Sequence, residues 1–243
     1  MNKTLSFFGV ATAVTMSLAS AGMAQAISIE TSGVWTSVTP DGTTTVNGIN
    51  TNTVSWGDPA TNSGQSSYVF NGENTFTAPI DGTDFLLGTF THNNFPVFPP
   101  SITGANLALS LSGDVNKTFN FFFNHNETPN NGDSGVCSST PGFNVPCPDV
   151  VSIPNTASSE TINIGGHQYI LAISGFLQGG SVVNQFITQE DQANTAEIFG
   201  RLEKVPVEEV PEPLTMLGIT TGVAFGGFFK RKYSKSQKSK VSA

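Results

Sequence analysis

Cysteine, histidine and positive charge are all scarce in this 243-residue chain, and each scarcity closes off a class of function. Only Cys137 and Cys147 carry thiols. Two are too few for a structural zinc site built from cysteines, and their spacing is not Cys-x-x-Cys. Nine residues stand between them, in a Pro/Gly/Asn-rich stretch. In an exported protein they are expected to form a disulfide, whose closed loop of eleven residues would contribute roughly 2–3 kcal/mol. Histidine occurs three times, as His92, His125 and His167. None stands in a His-x-x-x-His or Glu-x-x-His pairing on a helix, so a catalytic zinc site is not expected and no metal ligand is assigned. The reading preferred for His92 is fixation of backbone geometry by hydrogen bonds, ahead of a role as ligand or base.

Basic residues are almost missing from the body. Between Ile27 and Glu209 only Lys117, Arg201 and Lys204 stand against seventeen acidic residues, a net −14. Six of the ten basic residues follow Phe229. So acidic a surface repels phosphate backbones and disfavours nucleic acid as a partner. No Gly-x-Ser-x-Gly elbow supplies an activated serine. Carboxylate pairs for glycoside cleavage have no sequence signature, because only their separation in space identifies them. The chain reads as a non-enzyme.

Helical periodicity is also rare, and no internal repeat is found. What remains is a series of short β-rich runs divided by Gly, Asn, Pro and Asp, which predicts an all-β, single-domain, antiparallel β-sandwich or jelly-roll-like fold. Strands are expected over Ile27 to Thr39, Val54 to Pro59, Ser67 to Phe70 and Phe85 to Phe90. Leu107, Leu109 and Leu111 share one face of a further strand. Val115 to Asn124 alternates through Phe119, Phe121 and Phe123, with Phe122 on the opposite side and expected in a second packed layer. A hairpin is expected across Gly165-Gly166, and a last strand over Ala196 to Leu202. His125 to Pro148 reads as a long irregular insert and a candidate binding edge. Within it, His125-Asn126-Glu127 and Asn130 to Asp133 offer oxygens of the kind Ca²⁺ accepts. The full calcium-loop spacing is lacking, so no cofactor is assigned and Ca²⁺ stays the one candidate. Trp35, Trp56 and Tyr68 would stack on sugar rings if they share an exposed face, though burial is preferred for each.

Both ends read as targeting segments. Lys3, the apolar run Leu5 to Ala19 and Ala24-Gln25-Ala26 form a secretory signal over residues 1–26. The ectodomain is expected over 27–203 and a linker over 204–209. A sorting segment with a hydrophobic helix follows over 210–235, and a basic cytoplasmic tail over 236–243. In the sorting segment Val210-Pro211-Glu212-Pro213 precedes sixteen uncharged residues, Leu214 to Phe229, and then Lys230-Arg231-Lys232. Sixteen helical residues reach roughly 24 Å, short of a bilayer core of about 30 Å, and the basic cluster acts as a cytoplasmic stop.

This three-part order closely resembles the PEP-CTERM sorting signal of bacterial surface proteins. The resemblance implies an exosortase-type membrane protease as partner, acting near Pro211, Glu212 and Pro213. A second resemblance lies in the body. Trp56-Gly57-x-Pro59, Ser67-Tyr68-x-Phe70 and Leu87-Gly88-x-Phe90-Thr91-His92-x-Asn94-x-Pro96 are similar to the THxN family of PEP-CTERM proteins and the related choice-of-anchor K domain. The likeness runs from about Trp56 to Leu202, with Thr91, His92 and Asn94 on the name-giving motif. It carries no catalytic residues. Together these readings lead to an exported protein, membrane-anchored as a precursor and then at the cell surface or outside the cell. A structural role in the exopolysaccharide or biofilm layer is expected, with glycan binding as the alternative.

Overall fold

Alternation of apolar and polar residues builds this fold strand by strand, because successive side chains on a strand point to opposite faces. The computed structural model describes residues 25–40, 42, 44–128, 137 and 140–206. Apart from Gln25 and Ala26, both targeting segments, with the flanking helices expected there and Pro211, Glu212 and Pro213, lie outside the described residues. The strands are β1 (Ala26–Thr39), β2 (Val46–Asn47), β3 (Thr53–Trp56), β4 (Asp58–Pro59), β5 (Ser66–Gly72) and β6 (Phe76–Pro79). Next come β7 (Phe85–Asn94), β8 (Val97–Phe98), β9 (Gly104–Gly113), β10 (Lys117–Asn126) and β11 (Asp149–Ser152). The series ends with β12 (Ala157–Ile164), β13 (His167–Gln178), β14 (Ser181–Val183), β15 (Gln185–Thr188) and β16 (Gln192–Lys204). There is no helix among the described residues. The all-β expectation holds.

Two large antiparallel sheets carry the chain. One runs β15-β11-β10-β9-β1-β6, the other β12-β13-β16-β7-β5-β3-β2 with β14 beside β13, and β4 and β8 form a small separate pair. The turn between β12 and β13 falls on Gly165-Gly166, both at positive φ (58° and 82°), as a two-residue hairpin of paired Ile164 and His167 requires.

The apolar rows of both sheets meet in one core. Trp35 of β1 lies 5.3 Å from Tyr68 of β5 and 5.2 Å from Phe123 of β10, ring centre to ring centre. Phe90 of β7 sits 5.4 Å from Phe123 and 5.8 Å from Phe176 of β13. These are tilted or edge-on contacts of the kind the ring quadrupole favours. Phe122 departs from its expected place. It lies half-buried on the other face of β10, where its ring covers Gly104 so closely that a Cβ there would come within 2.2 Å of Phe122 Cζ.

Several strands outrun the sequence reading. β10 continues to Asn126 and β16 begins at Gln192 rather than Ala196. Part of the expected insert is therefore strand, and His125 lies in β10. Cys137 and Cys147 are joined by a disulfide with a Cα–Cα distance of 5.5 Å, and both are buried.

Candidate functional site

The inward rows of β7 and β10 each pass from phenylalanine to histidine near the strand end. On β7 the buried row is Phe90, His92 and Asn94, and on β10 it is Phe119, Phe121, Phe123 and His125. Two strands on different sheets thus change from aromatic to imidazole where they reach one end of the core. The ring centres of His92 and His125 are 5.3 Å apart. Trp56 and Tyr68 close over them, with Trp56 stacked on His92 at 5.7 Å and Tyr68 edge-on to it at 5.0 Å.

β11 and β15 complete the cluster. Asp149 and Thr188 are register partners on these strands, both fully buried. The Asp149 carboxylate accepts the backbone N–H of Thr128 at 2.7 Å on Oδ1. Its Oδ2 stands 3.7 Å from His125 Nε2, beyond hydrogen-bond reach. Glu127 Oε2 lies 3.3 Å from the same Nε2 and also accepts from Ser101 Oγ at 2.8 Å. The other nitrogen of His125, Nδ1, meets the Tyr68 hydroxyl at 2.5 Å. Glu190, in the turn after β15, brings a third carboxylate: ligand-type oxygens of Glu127, Asp149 and Glu190 lie within 4.8 Å of one another.

The hydrogen bonds around Thr188 hold His92 by Nδ1. Thr188 Oγ1 donates its single proton to the backbone oxygen of Asp149 at 3.3 Å. With its proton so placed it accepts from His92 Nδ1–H, 2.9 Å away, and turned the other way it donates to Nδ1. In either tautomer His92 Nε2 has no hydrogen-bond partner among the described residues. Asn94 secures the same strand by donating to the Thr188 carbonyl at 3.1 Å. Trp56 Nε1, His92 Nε2, Asn94 Oδ1 and Asp149 Oδ2 are all buried without a hydrogen-bond partner among the described residues. Buried polar atoms almost always find partners, so this concentration at one end of the core needs a reason.

Electrostatics point the same way. Burial, reinforced by the charge on Glu127 and then Glu190, pushes the Asp149 carboxyl up to about 9. Burial, with His125 alongside, holds His92 well below the ordinary imidazole range and so neutral. Tyr68 is raised by its own burial and then by the charges of Asp149 and Glu127. At neutral pH the buried Asp149 carboxyl is thus protonated and the His92 imidazole neutral.

Solvent reaches only its margin, at the partly exposed Glu127. A cavity of about 690 Å³ opens between the loop after β7 and the end of β10, lined among others by Ala60, Pro96, Phe98, Ser101, His125 and Glu127.

The residues singled out in the sequence divide clearly. Of Thr91, His92 and Asn94, the last two point into the cluster, while Thr91 faces outward and shares a hydrogen bond with Thr195 at 2.8 Å. Trp35, Trp56 and Tyr68 are fully buried, the reading preferred for each, so the shared exposed face that stacking on a sugar would require is absent for them. Each fills the core between the sheets instead. Asn130 to Asp133 lies outside the described residues, whereas His125 and Glu127 of the same stretch join the cluster. Asp149, Thr188 and Glu190 were not singled out, nor was His125 as a ligand. For His125 the signal was present: one more step of the Phe119, Phe121, Phe123 alternation lands on it. For Asp149 and Thr188 no local pattern existed, since only the pairing of β11 with β15 brings them here. No protein-family model matches this chain, and no curated protein matches it either.

Proposed function

We propose that this chain is an exported, non-enzymatic protein of the cell surface or extracellular matrix, with a single β-sandwich body. It is made as a membrane-anchored precursor and sorted by an exosortase-type protease. Its role is structural, within the exopolysaccharide or biofilm layer. The observation that carries this reading is the ordered tail: Pro211-Glu212-Pro213, the uncharged run Leu214 to Phe229, and Lys230-Arg231-Lys232. The THxN-like motif in the body agrees with it, as does a disulfide between Cys137 and Cys147, which suits an oxidising compartment.

The limits of the strands support the same processing. β1 begins at Ala26, one residue before the expected mature start at Ile27, and β16 ends at Lys204, ahead of the expected linker. A cut after Ala26 removes the end pair of Ala26 with Pro79 and the Gln25 carbonyl that accepts Ile80 N–H, and leaves the rest of β1 and all of β16 in place.

The test is fractionation of the producing cells, followed by intact mass and N-terminal determination of the protein recovered. The expected form starts at Ile27, lacks the Leu214 to Phe229 segment and is found outside the cytoplasm. A chain with both ends intact and confined to the cytoplasm overturns the proposal.

A further inference from the structure

We propose that His92, His125 and Asp149, with Glu127 and Glu190 at their margin, form a binding site for a first-row transition-metal dication of the zinc type. One ligating atom from each of His92, His125 and Asp149 lies within 4.8 Å of the other two, and all three residues are buried. The inference rests on this geometry and is independent of export or of the sorting tail.

Three observations carry it. The first is spacing. Two donor atoms bound tetrahedrally to zinc at about 2.0–2.2 Å stand about 3.3–3.5 Å apart. The gaps of 3.7 Å from His125 Nε2 to Asp149 Oδ2 and 3.3 Å to Glu127 Oε2 are close to that. The second is His92 Nε2, buried and without a hydrogen-bond partner, in a cluster with an Asp149 Oδ2 in the same condition.

The third is the support behind each donor. His92 Nδ1 is held by Thr188, itself tied to the Asp149 backbone, and His125 Nδ1 is held by the Tyr68 hydroxyl. Orienting a ligating imidazole through its far nitrogen is how metal sites fix the ring and its tautomer. Both Nδ1 atoms are engaged, so Nε2 is the nitrogen that each ring offers an ion. The Asp149 carboxylate is steadied through its other oxygen by the Thr128 N–H.

The donor set names the class of ion. Two imidazoles with carboxylate oxygen suit zinc and its neighbours, whereas Ca²⁺ takes six to eight oxygens. The Ca²⁺ considered from the sequence is thus the wrong class for this cluster. The cavity lined by Ser101 and the half-buried Glu127 comes up to the margin of the cluster, while the His92, His125 and Asp149 side chains lie sealed behind it, so an ion enters only when this end of the core opens.

Without an ion, the same atoms would form a plain hydrogen-bonded network, with His125 Nε2–H donating to Glu127. The experiment separates the two. The full chain, stripped with chelator, is titrated with zinc and with calcium by calorimetry. X-ray absorption is then recorded on the zinc-loaded protein. The expected result is saturable uptake of a single zinc ion per chain, unaffected by excess calcium, with two imidazoles in the first shell. His92→Ala and His125→Ala should abolish uptake. His167→Ala, at an exposed position in the β12–β13 hairpin, should leave it unchanged. Thr188→Ala, which removes the positioning hydroxyl, should weaken binding about 10–100-fold. If the buried histidine variants do not fold, the absorption spectrum of the unaltered chain decides, and fewer than two imidazoles overturns the site. No zinc uptake by the folded chain, or preference for calcium, overturns it as well.

Discussion

His92 and Thr188, 96 residues apart in the chain, meet in the core through a 2.9 Å hydrogen bond between Nδ1 and Oγ1. The bond joins β7 of one sheet to β15 of the other. It also engages Nδ1 of His92, so that Nε2 is the ring nitrogen without a partner. A hydroxyl at this position does work that a methyl group cannot.

Replacing Thr188 with Val keeps the shape and removes the hydroxyl. The buried Nδ1 of His92 is then stranded, at a cost of about 1–3 kcal/mol. Urea unfolding should show a lower midpoint with an unchanged slope, and Thr188→Ser should recover most of the loss. A Val variant as stable as the original would mean the bond contributes nothing.

Phe123 and Phe122 are neighbours of the same type with opposite expectations. Phe123 is fully buried against Trp35, Phe90 and Phe176. Its change to Ala should cost about 3–5 kcal/mol through lost contacts and the cavity left behind. Phe122→Ala, on the half-buried outer face, should cost clearly less. Thermal denaturation of the two single variants compares them directly, and equal losses would contradict the assignment of faces.

Gly72 lies where β5 passes the backbone of β1. A Cβ at this position would stand 2.0 Å from the carbonyl oxygen of Thr31, an atom that cannot swing aside. Gly72→Ala should therefore destabilise by about 1–3 kcal/mol as an overpacked site. Gly82→Ala meets no atom within 4 Å and bears only the strain of its φ of 88°, about 1–2 kcal/mol. Chemical denaturation of both is the measurement. The informative outcome is whether Gly72→Ala perturbs the amide spectra of β1, while Gly82→Ala leaves them in place.

The disulfide closes a loop whose ends are separated by ten positions. Serine at both Cys137 and Cys147 should lower stability by roughly 2–3 kcal/mol. The same loss should appear when the unaltered protein is unfolded under reducing conditions. A double variant indifferent to reductant and equal in stability to the oxidised protein would remove the bridge from the energetics of the fold.

Much of this was legible locally. The inward faces of β9 and β10 follow from alternation alone, because the period of a strand is two and burial selects one parity. In contrast, β7 switches parity between Leu87 and Gly88, where its pairing with β16 shifts register. The Gly165-Gly166 hairpin follows from the positive φ that its turn demands. The scarcity of basic residues in the body is a property of composition and needs no coordinates.

Parity also reaches His92 and His125, yet it does not say that they meet. That was decided by the facing of two sheets, which put the ends of β7 and β10 opposite each other. Asp149 and Thr188 lie further from any sequence signal. The strands that carry them are only four residues each, set among Pro, Gly and Ser, and become strands by pairing with each other and with β10. The sequence by itself determined which residues seek the interior. Tertiary packing alone decided that two imidazoles and a carboxylate share one buried corner, because contacts between strands tens of residues apart depend on sheet order and no local pattern encodes it.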